Sequence, residues 1–162
     1  MKRPTMPHTT IQRPAQCPHW ATLAGAIFLS ATLQAQAITP CDQPVFACTL
    51  ATSGKQVQVC QHGEHVVYEF GPAQAAAELR LRRPLSAVPI TPWNGMGWTY
   101  WSSMELHNGA WTYRLSSSYE RDKPDAPGQG SITLLRNGKE VQRMACIPET
   151  LRERIESLAS DQ

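Results

Sequence analysis

The chain has 162 residues, of which 41% are hydrophobic, and its 15 basic and 13 acidic side chains give a formal net charge of +2. Three of the basic side chains and none of the acidic ones lie in the first 37 residues, so the remainder carries a formal charge of −1. This balance excludes the clustered positive surface that nucleic-acid phosphates require, and we expect no nucleic-acid partner.

Residues 1–37 have the pattern of a cleaved secretory signal peptide. Basic residues precede an uncharged stretch of 14 residues, 20–33, and Ala35-Gln36-Ala37 supplies a small-x-small cleavage site. The stretch is too short to span a bilayer, and a buried N-terminal helix is the less favoured alternative. We therefore expect cleavage near Ala37 and a periplasmic product. Neither a membrane span nor a lipid anchor is expected, because no later stretch resembles a span and no small apolar quartet precedes Cys41.

Residues 38–162 then form one β-rich domain of 125 residues with four cysteines, at positions 41, 48, 60 and 146. An even number of cysteines in a small exported domain predicts two disulfides, which can pair in three ways. A metal site is less favoured, because no C-x-x-C pair is present.

Strand geometry helps to choose among the three pairings. Residues 46–50 and 57–60 alternate like two strands joined by a Ser53-Gly54 turn. In that arrangement Cys48 and Cys60 point to opposite faces, which argues against a bond between them. The favoured disulfides are therefore Cys48–Cys146 and Cys41–Cys60.

Two further strands follow, each ended by a proline. Residues 66–70 alternate between apolar and polar or small side chains until Gly71-Pro72, and residues 78–82 alternate until Pro84. We interpret the basic cluster at 80–83 as the solvent side of the second strand, with an anion site as the alternative.

Asn108-Gly109 is the strongest hairpin signal, because both residues accept the positive φ of a type I′ turn. Counting outwards from the turn gives one mainly apolar face and one polar face, and a one-residue slip would bury charges. The predicted pairs of the inner face are Leu106 with Trp111, Met104 with Tyr113, Ser102 with Leu115, and Trp98 with Tyr119.

The C-terminal third predicts a second hairpin and a helix. The hairpin turns at Asn137-Gly138, and the adjacent Leu134 and Leu135 require a bulge. The preceding loop, 120–130, is rich in proline, glycine and charge and should be exposed. Apolar residues at 151, 155 and 158 predict one amphipathic helix over about 149–159, with Thr150 and Glu153 spaced as a capping box.

Together these elements predict a mostly β fold: a small antiparallel β-barrel or curled sandwich with one short C-terminal helix and two disulfides. No catalytic constellation accompanies it. His62 and His65 flank a turn without an evident third metal ligand, His107 lies on a polar strand face, and the cysteines are assigned to disulfides. Nucleophile and phosphate-binding motifs are absent from the sequence. We expect no enzyme activity, no metal and no cofactor.

Aromatic residues concentrate near the first hairpin. The loop 84–97 contains Trp93 and three prolines, which restrict its backbone and lower the ordering cost of binding. Exposed aromatics on a stiff loop suit a protein partner or the face of a sugar ring, whereas Trp93 folding back over the end of the barrel is the alternative. The candidate binding residues are Trp93, Asn94, Met96, Gly97, Tyr100 and Trp101.

Several short motifs resemble the periplasmic inhibitors of c-type lysozyme: an F-x-C strand after the export segment, a G-K turn, a Gly-x-x-Tyr loop and a closing cysteine. The matching residues are Phe46, Cys48, Gly54, Lys55, Gly97, Tyr100 and Cys146. The resemblance implies an eight-stranded barrel that inserts this loop into the cleft of a lysozyme-like enzyme. Met96 stands where the family has a serine, so the hydrogen bond of that serine to the enzyme is not implied.

Two hypotheses for function follow. In the first, the protein binds a cell-wall-degrading enzyme, either a host lysozyme or a bacterial toxin, and fills its cleft with the 84–97 loop, alone or together with the 120–130 loop. In the second, it is a carbohydrate- or peptidoglycan-binding module in which Trp93 and Trp101 stack on sugar rings.

Overall fold

Two antiparallel sheets of five strands each dominate the computed structural model, which describes Ile38 and residues 41–161. The first sheet has the strand order β10-β1-β2-β3-β4, and the second has the order β5-β6-β7-β8-β9. The strands are β1 (Phe46–Thr49), β2 (Gln56–His62), β3 (His65–Gly71), β4 (Leu79–Pro84), β5 (Ile90–Thr91), β6 (Thr99–Asn108), β7 (Trp111–Glu120), β8 (Gln129–Arg136), β9 (Lys139–Ala145) and β10 (Arg152–Glu153). Three 3₁₀ helices occur in the same residues: Leu85–Ala87, Pro148–Thr150 and Ile155–Asp161. The predicted signal peptide lies outside the described residues.

The predicted mostly β fold is confirmed, and the sandwich is the observed architecture, because the two sheets do not close into a barrel. Alternating apolar residues of both sheets face one another and form a single core. Among the described residues, the largest side chains in it with under 2% exposure are Tyr68, Phe46, Leu50, Met104, Leu106, Leu115, Ile132, Ile155 and Leu158. Burying each of them contributes about 1.5–3 kcal/mol to folding.

Both predicted disulfides are confirmed, as Cys41–Cys60 and Cys48–Cys146. Val57 and Cys48 are directly paired across β1 and β2, so Cys60 lies on the opposite face from Cys48, as the alternation predicts. Cys146 follows β9 and forms an isolated bridge with Leu50, so the second disulfide joins the last strand of one sheet to the beginning of the other.

The first hairpin has the predicted faces, but its register differs from the prediction by two residues. Asn108 pairs with Trp111, so the turn consists of Gly109 and Ala110, and only Gly109 has a positive φ, of 61°. Glycine at the first central position is typical of a type II′ turn. The two loop residues are therefore 109 and 110, one position later in the chain than the predicted Asn108-Gly109. Because the side-chain period of a strand is two, this shift preserves which face each residue occupies. Leu106 therefore pairs with Tyr113.

The prediction that Trp98 faces inward is wrong. The strand β6 begins only at Thr99, and Trp98 belongs to the preceding loop with 79% of its surface exposed. Gly95 and Gly97 have φ values of 82° and 87°, so the strand alternation does not extend back into this segment.

The second hairpin agrees with the prediction. Asn137 and Gly138 both have positive φ, of 50° and 77°, as a type I′ turn requires. The register shifts between Leu134 and Leu135, which is the bulge that their adjacency predicts.

The C-terminal segment buries the predicted apolar residues with a different backbone. Instead of one helix over about 149–159, it forms the 3₁₀ turn Pro148–Thr150, the strand β10 and the 3₁₀ helix Ile155–Asp161. The capping box is not formed, because the hydroxyl of Thr150 accepts the backbone N–H of Thr49 at 2.9 Å. The strand β10 pairs with β1 at the edge of the first sheet, and those inter-strand hydrogen bonds replace the helical ones.

Within the described residues, none of the helices has the length and apolar character needed to cross a bilayer.

Candidate functional site

The loop between β5 and β6, residues 92–98, lies at one end of the second sheet; we call it the aromatic loop. Thr99 pairs with Glu120 at this end, and the carbonyl of Trp98 accepts the backbone N–H of Arg121 at 2.9 Å. The aromatic loop is therefore adjacent to the 121–128 loop. The predicted 84–97 loop is interrupted by the 3₁₀ helix Leu85–Ala87 and by β5, so only its last part belongs to the aromatic loop and lies beside the second segment of the first hypothesis.

Trp93 anchors the aromatic loop from within. Its backbone N–H donates to Oε1 of Glu156 at 2.9 Å, and its indole Nε1–H donates to the carbonyl of Met96 at 2.9 Å. Its ring lies 5.1 Å from the ring of Tyr100, and the guanidinium of Arg121 lies 5.1 Å from its ring centre. These contacts use both N–H donors of Trp93, so this residue orders the loop.

Asn94 and two glycines set the shape of the loop. Oδ1 of Asn94 accepts the backbone N–H of Met96 at 3.1 Å, which closes a tight turn. Gly95 and Gly97 both have the positive φ that side chains disfavour. The turn projects the side chains of Met96 and Trp98 away from the sheet.

Met96 and Trp98 are 70% and 79% exposed. Among the described residues, the other exposed large hydrophobic side chain is Val141, at 58%, which lies in β9 near the opposite end of the second sheet. An exposed tryptophan beside an exposed methionine, on a loop fixed by internal hydrogen bonds, is the most prominent surface feature of the described chain.

Glu156, which sequence reasoning missed, connects the aromatic loop to the C-terminal segment. Its carboxylate accepts the hydroxyl of Tyr100 as well as the backbone N–H of Trp93. The pKa of Tyr100 is raised above its ordinary value. The hydrogen bond to Glu156 is the largest cause, and burial is the second. No local signal in the sequence pairs a glutamate with an aromatic residue 56 positions earlier.

A second tyrosine–glutamate pair lies beside the first. Tyr119 is the cross-strand partner of Tyr100. Burial and then the charge and hydrogen bond of Glu153 raise the pKa of Tyr119 to about 12. The ring of Tyr119 also packs on Gly128, where a Cβ atom would lie 2.1 Å from a ring carbon. The 121–128 loop is thus packed closely against the hairpin.

The predicted binding residues separate into two groups. Trp93, Asn94, Met96, Gly97 and Tyr100 meet at the aromatic loop. Trp101 is half-buried on the outer face of the second sheet, where it pairs with Ser118.

The histidines have ordinary surroundings. His62 and His65 face each other across the β2–β3 turn, and Nδ1 of His107 is hydrogen-bonded to Oγ1 of Thr112 at 2.9 Å. Within the part of the chain that the structure describes, no three His, Cys, Asp or Glu side chains are grouped as metal ligands.

Comparisons of this chain with protein-family models, with curated proteins and with solved structures found no match.

Proposed function

We propose that this protein is an exported, non-enzymatic periplasmic protein that inhibits a cell-wall hydrolase by inserting the aromatic loop into the cleft of that enzyme. The inhibition is occlusion: the inserted loop occupies the space that the glycan strand needs. The 121–128 loop forms the second edge of the contact surface.

The observation that carries this proposal is the exposure of Met96 and Trp98 on a loop whose conformation is already fixed. A protein–protein interface derives most of its affinity from a few central residues, among which tryptophan is over-represented. A loop that is ordered before binding loses little conformational entropy on binding. Glu156 and Trp93 supply that order here, through hydrogen bonds at 2.9 Å and the contact with Tyr100.

Export is supported by two disulfides, which are characteristic of proteins folded in an oxidising compartment. The signal-peptide pattern of residues 1–37 supports it independently.

The choice of a hydrolase as the partner rests on the resemblance to the lysozyme inhibitors. Gly97 and Tyr100 match the loop that this family inserts, but the hydroxyl of Tyr100 is bonded to Glu156 within this chain. The loop therefore contacts the enzyme through Met96 and Trp98, and Tyr100 supports the loop from behind.

The test is an inhibition assay with purified residues 38–162 and a panel of lysozyme-type enzymes, including any hydrolase encoded beside its gene. We expect hydrolysis of peptidoglycan by at least one enzyme to slow. Trp98→Ala should raise the inhibition constant by at least about 30-fold, as for a central interface tryptophan.

Val141→Ala is the matched control, because Val141 is also exposed but lies near the far end of the sheet. It should inhibit as well as the unmodified protein. Absence of inhibition across the whole panel, or equal inhibition by the Trp98→Ala variant, would exclude this function.

A further inference from the structure

The methionines at positions 96, 104 and 144 differ widely in exposure. Met96, in the aromatic loop, is 70% exposed, whereas Met104 is fully buried and Met144 is half-buried against the core. Oxidants reach a thioether from solvent, so exposure largely decides which methionine they attack first. Of these three residues, Met96 is therefore the one most open to oxidation.

The residues beside Met96 leave its side chain uncovered. Gly95 and Gly97 have no side chains of their own, and both have positive φ values that turn the backbone at this point. A Cβ atom built at either glycine would have no atom of the described chain within 4 Å, apart from the adjacent residues. Space is therefore open to small solutes on both sides of the methionine.

The conformation of the aromatic loop depends on the backbone of Met96 and not on its thioether. The N–H of Met96 donates to Oδ1 of Asn94 at 3.1 Å, and its carbonyl accepts the indole N–H of Trp93 at 2.9 Å. A chemical change at the sulfur leaves both bonds in place. What changes is the surface that the loop presents to a partner.

A peroxide converts a thioether to a sulfoxide in one two-electron step. The sulfur lone pair attacks one oxygen of hydrogen peroxide, the S–O bond forms as the O–O bond breaks, and the second oxygen leaves as water after taking up the proton of the first. The product is a polar side chain in place of a flexible apolar one. Methionine sulfoxide reductases reverse the change: the oxygen leaves as water while a dithiol is oxidised to a disulfide.

We propose that Met96 is a reversible oxidation site that switches the aromatic loop between a tightly binding and a weakly binding form. This inference rests on the proposed function, because the property that it switches is the affinity of the loop for its enzyme. In the complex the thioether is buried beside Trp98 in an apolar contact. A sulfoxide oxygen placed there loses its water without gaining a donor, which weakens binding. The oxidant is a peroxide, in the oxidising compartment that the two disulfides indicate.

The experiment treats purified residues 38–162 with dilute hydrogen peroxide, locates the added oxygen by peptide mass spectrometry, and measures inhibition of an enzyme that the untreated protein inhibits. We expect the Met96 peptide to be oxidised at least about tenfold faster than the peptides of Met104 and Met144. The inhibition constant should rise by at least about tenfold. Reductases for both sulfoxide epimers should restore it, in a sample whose disulfides remain intact by mass spectrometry.

Two variants assign the effect to one sulfur atom. Met96→Leu keeps an apolar side chain of similar volume without an oxidisable sulfur, so its inhibition constant should not change on peroxide treatment. Met144→Leu is the matched control, and peroxide should weaken its inhibition as much as that of the unmodified protein.

Three results would overturn the switch and leave the proposed function standing: oxidation of Met104 or Met144 before Met96, an equal inhibition constant before and after oxidation of Met96, and equal sensitivity of Met96→Leu to peroxide. Absence of inhibition by the untreated protein would overturn the proposed function and the switch together. The two failures are therefore distinguishable, because the untreated protein is assayed first.

Discussion

The two ends of the second sheet are built in different ways. One end consists of tight turns, at Gly109-Ala110 and Asn137-Gly138, linked by a hydrogen bond from the N–H of Asn137 to the carbonyl of Ala110. The other end consists of the aromatic loop and the 121–128 loop. Here the C-terminal segment is attached through Glu156, which bonds to Trp93 and Tyr100, and through Glu153, which bonds to Tyr119.

Each end has an arginine side chain over a tryptophan ring, so the two ends can be compared through the same kind of contact. At the turn end, Arg136 lies 5.3 Å from the ring of Trp111 and is also its cross-strand neighbour. At the loop end, Arg121 lies over Trp93, which is held in place by a glutamate 63 residues away in the chain. Local sequence determines the turn end, whereas the loop end depends on contacts that are distant in sequence. Four predictions test this difference.

The largest expected effect comes from removing the core anchor of the C-terminal segment. Leu158 is fully buried, so Leu158→Ala should lower the free energy of unfolding by about 2–5 kcal/mol, through lost apolar contact and the cavity left behind. Val141→Ala, at the turn end, should change it by less than about 0.5 kcal/mol. Urea denaturation of both variants measures the difference, and similar values for the two would contradict it.

Glycine is required for different reasons at the two ends. Gly128→Ala should lower stability by about 1–3 kcal/mol, because the added Cβ overlaps the ring of Tyr119. Gly138→Ala should cost about 1 kcal/mol, because φ is 77° although no atom lies within 4 Å of the added Cβ. Thermal denaturation of the Asn variants separates the two causes: Gly138→Asn should recover most of the stability because asparagine tolerates positive φ, and Gly128→Asn should not.

Removing the negative charge of Glu156 should loosen the aromatic loop alone. Glu156→Gln weakens the charge-assisted bonds to Trp93 and Tyr100 and should cost about 1 kcal/mol. The backbone N–H of Trp93 should exchange faster with deuterium, while the amides of the two turns keep their protection. Glu149→Gln, an exposed residue of the same segment, is the control and should change none of these rates.

The smallest effect is a dependence of stability on alkaline pH. The pKa of Tyr119 is raised from 10.0 to about 12, so its contribution to stability is complete below pH 10. As the pH rises from there towards 12, the unfolded state loses its proton first and stability falls. Tyr119→Phe should reduce this slope. The part that remains comes from Tyr68, whose pKa is raised by burial, and from Tyr100, whose pKa is raised by its hydrogen bond to Glu156. Urea midpoints of both proteins measured across this pH range give the two slopes. A slope in Tyr119→Phe equal to that of the unmodified protein would contradict the role of Tyr119.

The turn end of the second sheet was more predictable from the sequence than the loop end. Period-two alternation and turn chemistry predict the strands and the bulge at Leu134, because each depends on neighbours in sequence. The disulfide pairing is long-range, but local alternation helps to predict it by placing Cys48 and Cys60 on opposite faces. The two-residue shift of the first hairpin was not predictable from Asn108-Gly109, since that dipeptide fits two turn types that differ by one position.

The loop end was predictable only in part. Its composition indicates a stiff aromatic segment, but the role of Glu156 and the exposure of Trp98 depend on where the C-terminal segment lies. That segment has the spacing of an amphipathic helix, yet pairing of β10 with β1 takes precedence over helical hydrogen bonding. Local periodicity cannot weigh those two alternatives, because one of them is a contact between distant parts of the chain.

The central claim is that the aromatic loop contacts a hydrolase through Trp98. A photoreactive amino acid placed at position 98 of residues 38–162, irradiated with an enzyme that the protein inhibits, tests it most directly. We predict crosslinks from position 98 to residues that line the enzyme's cleft, and none from the same amino acid at position 141. Crosslinks from position 141 alone, or from position 98 to a surface away from the cleft, would contradict this account.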